Sequence, residues 1–412
     1  KPVFLEKTGF SSTFRIGSKE AGVRVGINAF FLSKTATGSG QYVSHLLRKL
    51  TEWDAENEYV LIGMQHTGHR MQDLEGLYPE SCILHFVSTP FVGVSRNLSK
   101  LWFEQVSFPR LCRSAAVDVA HVPYFASPLV PTRPTVVTVH DLIPLLLPAY
   151  RGYFLVRLYT RLVAAGARRA HLVLTDSEAS KRDIVRHLRI PPRRVRVIYL
   201  AADEIFRPVE DEMGKEIRHR YGLPEDYILY LGGFDQRKNI PTLLRAFARI
   251  AGTRDIHLVI AGRLPAKDTP FSPDPRRWAW ELGVQRRVIF TGWVAEEDKP
   301  ALYSGATLFV FPSLYEGFGL PPLEALACGT PVVASDAGSL PEIVGQGGIL
   351  VDPQDVEALA EAMKGLLTDE TLRAELRGKA LTHAARFHWD NTAQETLAAY
   401  REARLEFQRS CG

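Results

Sequence analysis

The sequence predicts an α/β protein made of two doubly wound halves that face each other across a cleft. Short apolar segments alternate with amphipathic helical stretches along most of the chain, which is typical of parallel sheets covered by helices on both faces. This alternation is interrupted once, over residues 200–209, where the chain runs into Phe206-Arg207-Pro208. A length of 412 residues with 46% hydrophobic content provides enough core for both halves.

The predicted strands are short apolar runs, as expected of strands that are buried on both faces. In the first half they cover 23–29, 59–62, 83–87, 117–121, 135–139, 172–175 and 195–199, and in the second half 227–231, 257–261, 288–291, 307–311, 331–334 and 348–351. We predict an N-terminal extension (1–22), a first Rossmann-like domain (23–203), a second Rossmann-like domain (204–388) and a final helix (389–412). Ligands of such sheets bind beyond the carboxyl ends of the strands, so we expect the site in the cleft.

The net charge of +4 conceals an asymmetry between the two halves. Residues 1–200 carry 26 Lys and Arg against 15 Asp and Glu, whereas the remainder carries 24 against 31. We therefore expect the first half to meet an anionic partner. No nucleic-acid recognition motif accompanies the basic residues, so we predict no nucleic-acid partner.

The cysteine pattern and the apolar runs bear on location. Cys82, Cys112, Cys328 and Cys411 are dispersed without a Cys-x-x-Cys pair, which favours a reducing, cytoplasmic setting. The first twenty residues lack the apolar core of a signal peptide, and the apolar runs are too short to span a bilayer.

The most specific motif extends from Glu316 to Glu324 and contains Gly317 and Gly319, between a predicted strand and a predicted helix. Glycines let an anion approach the backbone closely, and a helix start offers free N–H groups to it. A carboxylate at Glu324, early in the helix, can accept hydrogen bonds from two neighbouring hydroxyls, as on a ribose. The alternative, a proline-capped helix with two solvated glutamates, does not explain why the glycines, the helix start and both acids coincide.

A second motif follows the predicted strand 227–231 and contains Gly232, Gly233, Arg237 and Lys238. Two permanent cations at a strand–helix junction could neutralise the charge that builds on a leaving diphosphate. Taken alone, the motif also fits an ordinary basic loop. Because no Asp-x-Asp pair and no His/Cys cluster at metal-ligand spacing occurs, we predict that the cations replace a metal ion and that no cofactor is used.

Two weaker signals lie in the first half. His140 follows the predicted strand 135–139 and could bind a sugar hydroxyl, while Asp141 could orient it or cap the next turn. Gly38 and Gly40 open a predicted helix and could offer N–H groups to a phosphate, although Val43 replaces the third glycine of a dinucleotide fingerprint. A structural histidine and a flexible loop are the alternatives.

In combination, these motifs resemble glycosyltransferase family 4, and the resemblance extends from about residue 23 to the C-terminal helix. It implies the GT-B fold, in which the domain 204–388 holds a nucleotide diphosphate sugar donor and the domain 23–203 holds the acceptor. It further implies that the helix 389–412 crosses back to the first domain.

The resemblance also implies roles for single residues. Glu324 would bind the donor ribose, Glu316 the donor sugar, and the Arg237-Lys238 pair the diphosphate. We predict Arg237, Lys238, Glu316 and His140 as catalytic residues, and Gly40, Gly232, Gly233, Val294, Phe318, Gly319, Leu320 and Glu324 as donor-binding residues.

The motifs are similar in sequence to those of bacterial mannosyltransferases of O-antigen and capsule assembly. This implies a retaining, metal-independent transfer of a hexose, with GDP-mannose as the leading donor and a glycan or lipid-linked acceptor. The alternatives are a UDP- or dTDP-sugar donor with a small-molecule acceptor, a non-catalytic nucleotide-sugar-binding subunit, and a phosphorylase or epimerase on the same fold.

One segment of the first half carries a surface signal. Residues 151–174 contain no acidic residue and place five arginines among Tyr153, Phe154, Leu155 and Leu158. Such a helix suits an anionic membrane surface, and it equally suits a core helix with a solvated basic face. We predict peripheral contact with the inner face of a membrane and a lipid-linked acceptor.

Overall fold

The computed structural model describes residues 22–34, 37–64, 82–252 and 255–411. The predicted N-terminal extension, residues 1–22, lies outside this described part except for its last residue. The described chain forms two α/β lobes, and each lobe is built on one parallel sheet.

The strands confirm the predicted ones, with ends that differ by two residues or fewer. Those of the first lobe are β1 (Arg24–Asn28), β2 (Glu58–Met64), β3 (Ile83–Val87), β4 (Val119–Val122), β5 (Thr135–Thr138), β6 (Leu172–Thr175) and β7 (Val195–Val197). Those of the second lobe are β8 (Tyr227–Leu231), β9 (His257–Ala261), β10 (Val288–Gly292), β11 (Leu308–Phe311), β12 (Val332–Ser335) and β13 (Gly348–Val351).

Helices separate most of the strands. In the first lobe they are α1 (Gly38–Trp53), α2 (Arg96–Trp102), α3 (Phe108–Ser114), α4 (Ile143–Leu146), α5 (Phe154–Arg169) and α6 (Glu178–Asp183). From the second lobe onward they are α7 (Asp211–Tyr221), α8 (Ile240–Ile250), α9 (Pro275–Glu281), α10 (Lys299–Gly305), α11 (Leu320–Ala327), α12 (Leu340–Val344), α13 (Val356–Thr368), α14 (Glu370–Ala384) and α15 (Trp389–Cys411).

The strand order locates a crevice in each lobe. The first sheet has the order β3-β2-β1-β4-β5-β6-β7 and the second β10-β9-β8-β11-β12-β13. The order reverses direction between β1 and β4, and again between β8 and β11, so each sheet has a switch point where ligands can bind. Because both faces are covered by helices, β8 and β11 are buried at every position.

The lobes meet through polar contacts between loops at the carboxyl ends of their strands. Ser177 Oγ donates to the Gly317 carbonyl (2.7 Å), which lies in the loop before α11. The carboxylate of Glu342 accepts from the backbone N–H groups of residues 178 and 179 at 3.0 Å and so caps α6 from the opposite lobe. The Tyr199 hydroxyl donates to the same carboxylate (2.9 Å).

The last helix, α15, packs on the first lobe. The Tyr400 hydroxyl and His121 Nδ1 on β4 are 2.8 Å apart, and Thr392 Oγ1 donates to the Tyr199 carbonyl (2.7 Å). Arg196 on β7 pairs with Glu402 (2.5 Å). Among the described helices, α15 included, none has the length and apolar character needed to cross a membrane.

Candidate active site

Two loops of the second lobe bring three charged side chains together. Lys238 Nζ donates to Glu316 Oε1 (2.8 Å), and the Arg237 guanidinium pairs with the other carboxylate oxygen. The three side chains are only 11–13% exposed. The loops meet because β8 and β11, which precede them, are neighbours in the sheet. Leu314 N–H also donates to the Arg237 carbonyl (2.8 Å), which fixes one loop against the other.

Electrostatic interactions favour the ionised forms of Glu316 and Arg237. Burial alone would raise the pKa of Glu316, but Lys238 and Arg237 outweigh it and hold that pKa below its usual range. Burial likewise disfavours the charged form of Arg237, but Glu316 and Asp235 raise its pKa above the usual value. Arg237 Nε lies 3.5 Å from Asp235 Oδ1 and makes no hydrogen bond to any residue that the structure describes, so this donor of the guanidinium is available.

Glu324 lies apart from this cluster, on the buried face of α11. It accepts a hydrogen bond from the Tyr303 hydroxyl (2.8 Å) on α10. Burial raises its pKa to about 6, although Lys299 acts in the opposite direction. Glu324 and Leu320 line a cavity of about 210 Å³ whose other wall belongs to the first lobe and includes Gln41.

His140 follows β5 and faces the second lobe. Its Nδ1 is 2.7 Å from Asp176 Oδ2, at the end of the adjacent β6. Burial lowers the pKa of His140, but the Asp176 carboxylate more than compensates and the net shift is upward. Asp141 does not orient the ring: it caps the next turn by accepting from Ile143 N–H (2.9 Å), which decides between the two roles expected for it.

The loop glycines act mainly through close packing. Gly40 N–H donates to Thr37 Oγ1 (3.2 Å), and a Cβ at Gly40 would lie 2.1 Å from the Lys34 carbonyl oxygen. The N–H that was expected to bind phosphate is therefore engaged in capping α1. In the second lobe, the Tyr230 hydroxyl donates to the Gly233 carbonyl (2.6 Å) and would be 2.9 Å from a Cβ at Gly232.

The remaining predicted donor ligands lie around the start of α11 and after β10. Gly319 has φ +114°, a conformation that favours glycine, and immediately precedes α11. Phe318 is buried, and its ring packs against the rings of Tyr199 and Phe387. Val294 is also buried.

The structure therefore brings some predicted residues together and separates others. Arg237, Lys238 and Glu316 form one cluster, and Ser180 Oγ links its loop to the histidine by lying 2.9 Å from the His140 carbonyl and 3.2 Å from the Gly317 carbonyl. Glu324 faces the separate cavity beyond the start of α11.

Three residues that hold the predicted site residues in place were not predicted from the sequence. The Tyr150 hydroxyl, from the first lobe, binds the Asp235 carboxylate and accepts from Arg237 N–H (3.3 Å). The others are Asp176 and Tyr303, which hold His140 and Glu324. Only Asp176 had a sequence signal, since it follows a predicted strand directly.

Two family models match the chain. The model described as Glycosyltransferase Family 4 matches residues 36–204, and the model described as Glycosyl transferases group 1 matches residues 215–383. O-antigen chain mannosyltransferase B of Escherichia coli is 34% identical over 274 residues, which cover 65% of this chain and 70% of that protein. The chain belongs to glycosyltransferase family 4.

Other relatives of this family 4 chain extend the comparison. The serotype-specific mannosyltransferase WbdA of Escherichia coli is 35% identical over 278 residues, or 65% of this chain and 33% of WbdA, so the chain spans about a third of that relative. HepE of Anabaena, solved with UDP and glucose, is 20% identical and covers 92% of this chain and 99% of its own at a TM-score of 0.72. WaaG, a glycosyltransferase involved in lipopolysaccharide biosynthesis, is 17% identical over 91% of this chain and 99% of its own, with a TM-score of 0.67.

The structural likenesses confirm the GT-B fold predicted for this family 4 member. Across the described ranges, no three His, Cys, Asp or Glu side chains are grouped so that they could hold a metal ion.

Proposed function

We propose that this chain transfers a mannosyl group from GDP-mannose to a glycan or lipid-linked acceptor, with retention of anomeric configuration and without a metal ion. The observation that carries the proposal is the buried cluster in which Arg237 and Lys238 share the carboxylate of Glu316. Two fixed cations in a site of low exposure can stabilise a leaving diphosphate, and they need no reorganisation as charge develops. Both Escherichia coli relatives are mannosyltransferases by name, which supports mannose as the sugar.

The proposed mechanism is a same-face substitution. The bond from the sugar C1 to the diphosphate oxygen breaks while the bond from C1 to the acceptor oxygen forms on the same face. The acceptor hydroxyl gives its proton to the departing diphosphate, whose charge Arg237 and Lys238 neutralise. Glu316 is then a ligand of the donor sugar rather than a nucleophile, because its pairing with both cations lowers its reactivity.

A donor screen followed by a transfer assay tests the proposal. Thermal-shift measurements with GDP-, UDP-, dTDP- and ADP-sugars identify the donor, since a ligand present at 100 times its Kd stabilises by about 2.7 kcal/mol. Proton NMR of the product then shows whether the new linkage keeps the donor's anomeric configuration. GDP binding without transfer would favour a non-catalytic binding subunit, and conversion of the donor without an acceptor would favour an epimerase.

The raised pKa of Glu324 predicts a pH dependence of nucleotide binding. With a pKa of about 6, the carboxyl group ionises above that pH and loses its charge as the pH falls through it. An ionised carboxylate accepts hydrogen bonds from two ribose hydroxyls better than a protonated one. We expect the Kd for GDP, measured by calorimetry, to be about ten-fold higher at pH 5 than at pH 7.5.

Glu324→Gln is the control for this pH dependence. The variant should bind GDP more weakly at pH 7.5, and its Kd should change much less between the two pH values. A ten-fold change that persists in Glu324→Gln would assign the titration to the GDP phosphates or to another group.

The first lobe supports peripheral membrane contact. Four apolar or aromatic side chains at the start of α5 are 52–76% exposed, namely Tyr153, Phe154, Leu155 and Leu158. The alternative, a core helix in which only the basic face is solvated, is therefore wrong for these side chains. Beside them is a cavity of about 430 Å³ lined by Arg151, Arg157 and Arg161 together with prolines and Leu145. Exposed aromatic groups beside arginines that make no ion pair with any described residue suit the interface of an anionic bilayer at its inner face.

Vesicle sedimentation tests this contact. The wild-type chain should sediment with phosphatidylglycerol vesicles at low salt and remain in the supernatant with phosphatidylcholine vesicles. The double variant Phe154→Ser, Leu155→Ser should lose most of the binding because two large apolar side chains no longer enter the interface. Trp280→Ser, an exposed aromatic residue of the second lobe, is the matched control and should bind as the wild type does. Equal binding by all three proteins would refute this surface.

A further inference from the structure

Three cations lie together at the carboxyl edge of the first sheet and take no part in the donor site. Lys34 follows β1, and Arg96 and Lys100 belong to α2; we call these three residues the Lys34 cluster. Lys34 Nζ is 3.7 Å from the centroid of the Phe30 ring, and Lys100 Nζ is 5.7 Å from the same centroid. Two ammonium groups therefore share one aromatic ring, an arrangement in which they repel each other.

The Lys34 cluster holds more positive charge than its surroundings neutralise. Within the described ranges, Lys34 and Arg96 make no ion pair, and Lys100 pairs with Glu104 (3.1 Å). Glu104 is fully buried, and its two oxygens already accept hydrogen bonds from two tyrosine hydroxyls at 2.9 and 3.1 Å. This single inward carboxylate leaves a net positive charge at the surface of the cluster.

Two further observations support an anion-binding position here. Burial, together with Arg96 and Lys100, lowers the pKa of Lys34 to about 8, and a bound anion would reverse the contribution of the neighbouring cations. Asn28, the last residue of β1, is buried, and its Nδ2 has no hydrogen-bond partner in the described part of the chain. Its Oδ1 lies 3.4 Å from the hydroxyl of Tyr124, one of the two tyrosines that hold Glu104.

The sheet places this cluster within reach of the reaction centre. In the first sheet, β4 separates β1 from β5, and β5 leads to His140. The Phe30 ring under Lys34 also lies 6.1 Å from the Tyr124 ring, which follows β4, so the cluster lies beside the strand that neighbours β5. An acceptor whose reacting hydroxyl lies near His140 can therefore extend a neighbouring sugar to the Lys34 cluster.

We propose that Lys34, Arg96 and Lys100 form a subsite for a phosphate group carried by a sugar of the acceptor. The subsite deepens the proposed transferase function and rests on it. A phosphate offers several charged acceptor oxygens to ammonium and guanidinium donors, so more than one of the cations can bind it at once. The uncharged hydroxyls of an unmodified hexose would leave the excess charge unbalanced.

The test compares a phosphorylated and a neutral sugar while GDP fills the donor site. Calorimetric titrations with mannose 6-phosphate and with methyl α-mannoside are performed on the wild type and on the variant Lys34→Met, Arg96→Gln. Methionine keeps the apolar stem over Phe30, and Lys100 is left intact because it pairs with the buried Glu104. Arg245→Met, which removes a guanidinium 4.8 Å from the Trp278 ring in the second lobe, is the matched control.

We expect the wild type to bind mannose 6-phosphate at least ten-fold more tightly than the neutral sugar, with a preference that shrinks at high salt. The double variant should lose about ten-fold or more of the mannose 6-phosphate affinity, Lys34→Arg should retain it, and Arg245→Met should not change it. The double variant should bind phosphatidylglycerol vesicles with the same affinity as the wild type, because the subsite binds an acceptor sugar and not a bilayer headgroup.

Three results would overturn the subsite: equal affinity of the wild type for the two sugars, equal weakening of both in the double variant, or a loss restricted to vesicle binding. The GDP titration distinguishes these failures from a failure of the proposed function. If GDP binds and transfer proceeds, a negative result removes only the subsite. If GDP does not bind at millimolar concentration, the donor assignment itself fails.

Discussion

Replacing Lys238 with methionine is expected to lower kcat about 10²–10³-fold, the usual cost of removing one charge-stabilising donor from a transition state. Lys238 Nζ donates to Glu316 Oε1 (2.8 Å) and lies 4.7 Å from the Phe311 ring, so methionine keeps the apolar packing and removes only the charge. Arg237 continues to pair with Glu316 in this variant. We therefore expect only a small fall in melting temperature beside the large loss of kcat. Steady-state kinetics and thermal unfolding of the same preparation measure both effects.

Lys49→Met is the matched control for this prediction. The Lys49 side chain is 12% exposed, as is that of Lys238, and it also pairs with carboxylates, but it lies on α1 of the first lobe. A comparable loss of kcat in both variants would mean that disturbing any buried lysine suffices. Turnover close to that of the wild type in Lys238→Met would refute the role of Lys238 in the departure of the diphosphate.

Gly317→Ala should lower kcat about 10²-fold, because a misplacement of about 1 Å at the reacting groups has a cost of this order. The added Cβ would lie 2.7 Å from the His140 carbonyl oxygen and 2.8 Å from Asp141 Cβ, distances that ordinary contacts do not reach. The loop that carries Glu316 and the loop that carries His140 must then move apart. The proposed donor site lies mainly in the second lobe, so we expect the Kd for GDP to change much less than kcat.

Gly365→Ala tests whether any added methyl group has the same effect. Gly365 lies within α13 and a Cβ there meets no atom within 4 Å, so alanine should leave activity unchanged and stabilise the helix by up to about 1 kcal/mol. Unchanged kcat in Gly317→Ala would show that catalysis tolerates a wider separation of the two lobes than the structure has.

Most of the fold and part of the candidate site could be predicted from the sequence, because both depend on strands that are recognisable as apolar runs. Strands buried on both faces are continuous apolar runs, so their positions can be read directly, as at β8 and β11. The Arg237-Lys238 loop and the Glu316 loop follow these two strands, and a doubly wound sheet places such loops at the same edge.

The supporting residues were harder to predict because their partners come from other parts of the fold. Tyr150 reaches Asp235 only because the two lobes meet as they do, and no local pattern encodes that contact. Tyr303 binds Glu324 through the packing of α10 on α11, which depends on the tertiary arrangement of both helices. Asp176 is the exception, since the adjacency of β5 and β6 would have placed it beside His140.

The pairing of Glu316 with both cations means that the diphosphate of the proposed donor would meet positive charges that are already neutralised. It would have to displace a carboxylate that is held on the neighbouring loop of the same lobe, so the affinity of the cleft would reflect a difference between two sets of ion pairs. After the proposed transfer, the Glu316 carboxylate would compete for both cations as the nucleoside diphosphate departs. In the proposed mechanism, Glu316 would therefore weaken the retention of the product, which favours rapid turnover over tight binding.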